Sequence, residues 1–282
     1  MLTSTEKSRR VELPSVTGTI YYCSDIPGRA LQDLVEPKNT YIPVYPVTVA
    51  IKDARPIRDE LSLDEQGFML LDHSSSVSHL RDKKAIEKTY NAEILDLLRS
   101  VSDADLILPY LQLFVRFSKN STVKTKDETE RPSGDVHLDF TAKSFWDNVG
   151  WVQEAAGVPR KQYRRAVLYQ TWRAVSEPPQ DFPLALTDSR SIVPGNTVTM
   201  DNIIGPRDVV GNVVETRLAK QGPHDSWYYF SNMRASEIIL FKGFDSDAPD
   251  TVNVLHTAFD NKDTPRTIPR ESIEARYFAF WE

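Results

Sequence analysis

The sequence predicts a mainly β protein, a double-stranded β-helix (jelly roll) with a few flanking helices. Three observations predict it. Many short strand-like runs with turn signals between them fill residues 135–281, the pattern of a sandwich or barrel and not of βαβ units. His137 and Asp139 stand two residues apart in Val136-His137-Leu138-Asp139-Phe140, and on a strand such a pair faces one way. A third ligand-type residue, His256, lies 119 residues beyond His137. A fold that uses all three must lay an early strand beside a late one, as antiparallel jelly-roll sheets do at their open mouth.

Strand-like runs at 18–23, 46–51 and 67–71 open the chain, separated by turns. Residues 91–101 read as a helix, with Ile94, Leu97 and Leu98 at i, i+3, i+4 spacing. The apolar run 106–117 reads as one buried strand whose start is disturbed by Pro109. Residues 118–134 are charged and poor in apolar side chains, a loop placed where a lid over the next strand would sit. Residues 141–156 suit a helix, 166–175 a strand, and 181–192 a loop rich in Pro, Asp, Ser and Arg. Strands then follow at 197–203, 212–218, 227–230, 237–241, 252–256 and 272–281. The whole chain, 1–282, reads as one domain. Its core runs from about 135 to 282, with the N-terminal strands and helix packed on it.

Two imidazoles and one carboxylate are the facial donor set of a non-heme iron(II) oxygenase, which leaves open positions for cosubstrate and O2. Arg270 and Ser272 follow His256 on what reads as the next strand, and both face one way. A guanidinium fork with a hydroxyl suits the distal carboxylate of a keto acid whose other end chelates the metal. An HxD triplet alone is common. HxD, a distant histidine and RxS together are specific. Taken singly, His137 and His256 also read as core histidines and Arg270 as half of a surface ion pair. A cupin-like metal enzyme without a keto acid would give Arg270 and Ser272 no purpose. A non-catalytic jelly-roll binding protein would not need the intact triad.

His224, in a turn before Trp227, is a second candidate for the third ligand, while His73 and His79 read as solvated loop residues. Trp172, Tyr228 and Tyr229 suit either an apolar substrate pocket or the core. Arg173, Arg190 and Arg276 need partners, either a ligand or an acid such as Asp188, Glu271 or Glu274. The net charge of −6 and the lack of a basic cluster argue against nucleic acid. No apolar run is long enough for a membrane span, and the first residues lack the apolar core of a signal peptide. A lone cysteine, Cys23, fits a reducing compartment, so the expected location is cytoplasmic.

Segments from end to end carry a resemblance. They include Ile51-Lys52-Asp53-Ala54-Arg55, Val136-His137-Leu138-Asp139, Thr171-Trp172-Arg173, Asp188-Ser189-Arg190-Ser191 and Trp227-Tyr228-Tyr229. His256-Thr257-Ala258-Phe259 and Arg270-Glu271-Ser272-Ile273-Glu274-Ala275-Arg276 complete the set. On these the chain resembles the fungal iron(II)/2-oxoglutarate-dependent hydroxylase/desaturase family, which includes a gibberellin desaturase and is related to the cephamycin methoxylase component. The resemblance implies a jelly roll and a role in secondary metabolism on a small-molecule substrate, by hydroxylation, desaturation or oxidative ring formation. It implies iron(II) on His137, Asp139 and His256, 2-oxoglutarate on Arg270 and Ser272, and O2 as the second cosubstrate. Gln170 stands where the family tends to have Asn, and Leu255 where it tends to have Pro. Gln170, Trp172, Arg190, Tyr228 and Arg276 are the candidates for substrate contact.

Overall fold

The structure is a computed structural model that describes residues 12–77, 83–110, 113–125, 130–209, 211–249 and 253–282. The first half contains β1 (Ser15–Cys23), β2 (Ala30–Asp33), β3 (Val44–Asp53), β4 (Phe68–Asp72), helix α1 (Lys83–Val101), β5 (Leu106–Pro109), β6 (Phe114–Phe117) and β7 (His137–Leu138). Helix α2 (Ala142–Ala155) follows, then β8 (Arg165–Ala174), β9 (Leu184–Thr187), β10 (Thr197–Ile203), β11 (Val213–Ala219), β12 (Trp227–Tyr229), β13 (Glu237–Asp245), β14 (His256–Ala258) and β15 (Glu271–Trp281). The strands form a nine-stranded sheet, β1-β3-β12-β9-β14-β7-β11-β10-β2, and a six-stranded sheet, β4-β13-β8-β15-β5, with β6 also on β15.

Side-chain alternation decides what each sheet buries. On β15, Ile273, Ala275, Tyr277, Ala279 and Trp281 turn outward onto Ile86, Tyr90, Ile94 and Leu98 of α1, which covers that face of the small sheet. The opposite face of β15 carries Phe278 and Phe280, packed with Phe145, Val149 and Val152 of α2. The rest of that face, Ser272, Glu274 and Arg276, is polar and points between the sheets. Leu184 and Leu186 of β9 pack against Phe241 and Ile239 of β13 and Trp172 of β8, closing one end of the sandwich. Helix α2 starts where expected because Thr141 caps it. The Thr141 side chain accepts from Ser144 N while Ser144 reaches back to the Thr141 backbone, a complete capping box.

Three expectations are corrected. The run 106–117 is two strands, β5 beside 277–280 and β6 beside 271–274 of β15, because Pro109 ends the first ladder. The expected loop 181–192 contains β9, whose four residues are all buried. Its run is too short to show a period, and Pro183 and Asp188 on either side read as turn residues. Helix α1 begins well before residue 91. The tip of the proposed lid, 126–129, lies outside the described residues, but its flanks are tied down. Ser118 Oγ donates to Asp181 Oδ2 at 2.6 Å, and Ser133 O accepts from Ala258 N at 2.8 Å.

Arg173 faces α1, away from the sandwich interior. It donates to His73 O at 2.6 Å, to Ala235 O and to Tyr90 Oη, and its fork meets His73 Nδ1. His73 is therefore a structural acceptor and not a solvated loop residue; His79 lies outside the described residues. Arg173→Ala strands two carbonyls of the β4 and β13 ends. It should lower the unfolding free energy by about 1–3 kcal/mol, read by urea titration, and leave metal binding unchanged.

Candidate metal centre and cosubstrate cavity

Strands β7 and β14 are neighbours in the large sheet, and their single rung pairs His137 with His256 directly. Val136 and Leu138 go to the outer apolar cluster with Leu255, so the parity of both strands sends the two imidazoles inward. The rings lie 4.3 Å apart between centroids. Asp139, one residue past β7, completes the group. One donor atom from each of the three residues falls within 4.8 Å of the others.

His137 Nδ1 faces the Asp135 carbonyl at 2.7 Å and His256 Nδ1 faces the Val254 carbonyl at 3.3 Å. Each Nδ1 therefore carries its ring's hydrogen and each Nε2 keeps a lone pair. Those lone pairs point at the Asp139 carboxylate, with His137 Nε2 3.7 Å from Oδ1 and His256 Nε2 3.7 Å from Oδ2. Lone pairs converging on a carboxylate repel unless a cation lies among them. The donor set therefore fits a divalent metal, and two N donors with one O donor fit iron(II). Burial, reinforced by His137, pushes the His256 imidazole down to about 4, so it is neutral and ready to ligate. Burial by itself would push the Asp139 carboxyl up. The Arg276 guanidinium beside it outweighs this and holds the group well below the usual carboxylate range.

A cavity opens from the triad towards the small sheet. Trp172 of β8 lines it, as does Arg270 just before β15. The Arg270 backbone is gripped from two sides: its N–H donates to Asp181 Oδ1 at 2.8 Å and its carbonyl accepts from Ser118 N at 2.7 Å. Its guanidinium lies over the Trp172 ring at 5.3 Å and donates to Phe182 O at 2.7 Å. Its Nε is buried with no partner, and so is the Oγ of Ser272, two residues along the same face. Burial pushes the Arg270 guanidinium down to about 10, against the opposing effect of Glu274. An orphaned donor on a buried cation, with an orphaned hydroxyl on the same strand face, is what a ligand carboxylate would satisfy.

A second, wider chamber meets the triad from the side of β2, β10 and β11. Its lining includes Leu34, Ile42, Tyr110, Phe114, Phe140 and Met200, and it shares His137, Asp139 and Arg276 with the first cavity.

Of the sequence candidates, His137, Asp139, His256, Arg270, Gln170, Trp172 and Arg276 come together around one cavity. Gln170 and Arg276 are on Asp139 itself: Gln170 Nε2 and Arg276 Nε, the latter at 3.0 Å, donate to Oδ2, and Arg276 Nη2 is ion-paired to it at 2.8 Å. Arg190 and Tyr228 are not brought to the site. Arg190 is paired with Asp188 at 2.7 Å and Glu65 at 3.3 Å, and Tyr228 packs on Phe68 beneath Lys52. His224 is exposed in its turn and outside the metal cluster. Glu274, expected only as an acid partner for an arginine, also lines the cavity, and Arg116 of β6, which meets it at 3.3 Å, was not singled out by the sequence. The signal for Glu274 was there, since Arg270, Ser272, Glu274 and Arg276 form a period-2 polar row.

The family described as "Oxidoreductase/YMDC permease-like domain" matches residues 24–280. The chain belongs to this family. Among the described residues no helix is long and apolar enough to cross a membrane. Curated relatives include the hydroxylase/desaturase efuI of Hormonema carpetanum, 27% identical with 96% of this chain and 97% of the relative covered. The Fe(II)/2-oxoglutarate-dependent dioxygenase nvfI of Aspergillus novofumigatus is 26% identical, with 83% and 84% covered. The gibberellin cluster GA4 desaturase of Gibberella fujikuroi is 25% identical, with 95% and 96% covered. A solved structure of the iron and alpha-ketoglutarate-dependent endoperoxidase NvfI superposes with a TM-score of 0.80 at 24% identity, covering 95% of this chain and 98% of that one. The resemblance read from the sequence is borne out, and so is the jelly-roll fold.

Proposed function

We propose that this chain is an iron(II)/2-oxoglutarate-dependent oxygenase that oxidises a C–H bond of a small-molecule secondary metabolite. The observation that carries the reading is the buried Arg270 guanidinium, which lines the cavity at the triad with its Nε unpartnered, with the unpartnered Ser272 Oγ two residues along the same strand face. His137, Asp139 and His256 hold iron(II). When bound, iron(II) and 2-oxoglutarate supply the oxidising chemistry, in which O2 is consumed, the keto acid leaves as succinate and CO2, and the substrate is oxidised. The chain's own part is binding, orientation and exclusion of water. Arg270 and Ser272 take the distal carboxylate and so point the keto-acid end at the metal. Trp172 keeps water from the guanidinium. The apolar walls at Tyr110, Phe114, Phe140 and Met200 receive the substrate beside His137 and Asp139.

The reading treats residues 1–282 as one domain with its metal-binding core from about 135 onward. The membership of β1, β3 and β4 in the same two sheets supports it. It also takes the enzyme as cytoplasmic, without nucleic-acid or membrane partners. The net charge of −6 and the buried, unpaired Cys23 favour this.

Purified protein supplied with iron(II) and 2-oxoglutarate should release succinate, the measurement that tests the class. His137→Ala or His256→Ala should abolish metal binding and turnover, while His224→Ala should change neither. Full turnover in His256→Ala would refute the ligand set. Arg270→Ala should raise the KM for 2-oxoglutarate roughly 10- to 100-fold, the equivalent of losing about 1.5–3 kcal/mol of charge-assisted hydrogen bonding. Arg270→Lys should recover only part of that, because an ammonium cannot form the two-pronged contact.

A further inference from the structure

Asp139 is not symmetric. Its Oδ2 accepts two hydrogen bonds, from Gln170 Nε2 and from Arg276 Nε, and Arg276 Nη2 is ion-paired to the same oxygen at 2.8 Å, whereas Oδ1 accepts no hydrogen bond from the described residues. The donors come from one rung of the small sheet, where Gln170 of β8 lies directly opposite Arg276 of β15. The arrangement reaches across the sandwich, since Asp139 belongs to the large sheet's side. Both donors are held from behind. The Arg276 guanidinium lies 4.4 Å from the centroid of the Phe114 ring. Gln170 lies against Gly243 at the bulge of β13, where a Cβ would fall 2.1 Å from Gln170 Oε1. That Oε1 is buried without a partner, so turning the amide round would set its oxygen against the carboxylate. Glycine at 243 is therefore what allows the amide to stand where it does.

Resting on the oxygenase reading, we infer that Gln170 and Arg276 are positioning residues that reserve one oxygen of Asp139 for the protein, so that the carboxylate gives the metal Oδ1 alone. An unclamped carboxylate beside a divalent ion can offer both oxygens and fill a further coordination position. Its second oxygen would then compete with the keto-acid end of 2-oxoglutarate. The clamp thus protects cosubstrate binding, not metal binding. This assigns to the metal's carboxylate two side chains that the sequence pointed towards the substrate.

Two charge-conserving variants test it: Gln170→Leu removes one donor, and Arg276→Lys removes the two-atom fork. Metal-free wild type, each variant and the double variant are titrated with manganese(II), and the manganese-loaded proteins with 2-oxoglutarate. The expected result is manganese affinity kept or raised, with 2-oxoglutarate affinity down about 10-fold or more in the double variant. The visible bands of the cobalt(II)-loaded double variant should weaken as a further oxygen joins the ion. A general loosening of the fold would instead lower manganese affinity and leave the loaded protein's cosubstrate affinity alone. That outcome, or unchanged cobalt bands, overturns the inference while the oxygenase reading stands. Wild type that takes up no manganese overturns both.

Discussion

Mutual neutralisation of five charged side chains between the two sheets is the constraint on which the rest of the structure depends. Asp139, Glu274, Arg116, Arg270 and Arg276 all line the cavity beside the triad. An isolated charge in such a place costs several kcal/mol, so none of the five can be placed independently of the others. Glu274 lies 3.3 Å from Arg116 and 3.8 Å from Arg270, and Arg276 lies 2.8 Å from Asp139. Burial alone would push the Glu274 carboxyl up, but Arg116, Arg270 and Arg276 around it hold it below its ordinary value. The strand order follows from this need. Glu274 and Arg276 come from β15 and Arg270 from the residue before it, so β15 must be central, with β6 bringing Arg116 to one side and β8 bringing Gln170 and Trp172 to the other.

The same strand shows how the polar interior is tolerated. Its outward row, Ile273 to Trp281, is sealed by α1, and its inward row turns apolar at Phe278 and Phe280 beneath α2. The polar stretch is thus a short window in an otherwise apolar strand. The large sheet makes the matching window with one rung, His137 opposite His256, flanked by Leu138 and Leu255 facing the other way. A register slip of one residue on either strand would turn the ligands into the outer cluster, so the apolar neighbours of each ligand specify the metal site as firmly as the ligands do.

What could be read from the sequence divides along these lines. The triad and Arg270 with Ser272 were legible because each depends on residue types at short spacing, plus the one demand that 137 and 256 meet. The places of Gln170 and Arg276 were not. Each was recognisable as a strand residue, but their common acceptor depends on the β8–β15 register and on the approach of the other sheet, which are non-local. Arg190 and Tyr228 were drawn to the site by family motifs, and the structure spends them on Asp188 and on Phe68. Strand β9 was missed because four buried residues show no period, and β2 because its ladder partner, β10, lies some 170 residues away.

The charge balance of the cavity carries one further consequence. Three guanidiniums and two carboxylates leave an excess of one positive charge facing the triad. An incoming divalent cation alone increases that excess, and an incoming dianionic keto acid alone reverses it. The two together leave it unchanged, since their formal charges cancel. Desolvated charge is expensive, so the cavity favours the pair over either member. The neighbouring chamber shares Arg116, Ser133, His137, Asp139 and Arg276 with this cavity and adds an aliphatic and aromatic wall at Leu34, Ile42, Phe140 and Met200, which offers apolar surface to what enters there.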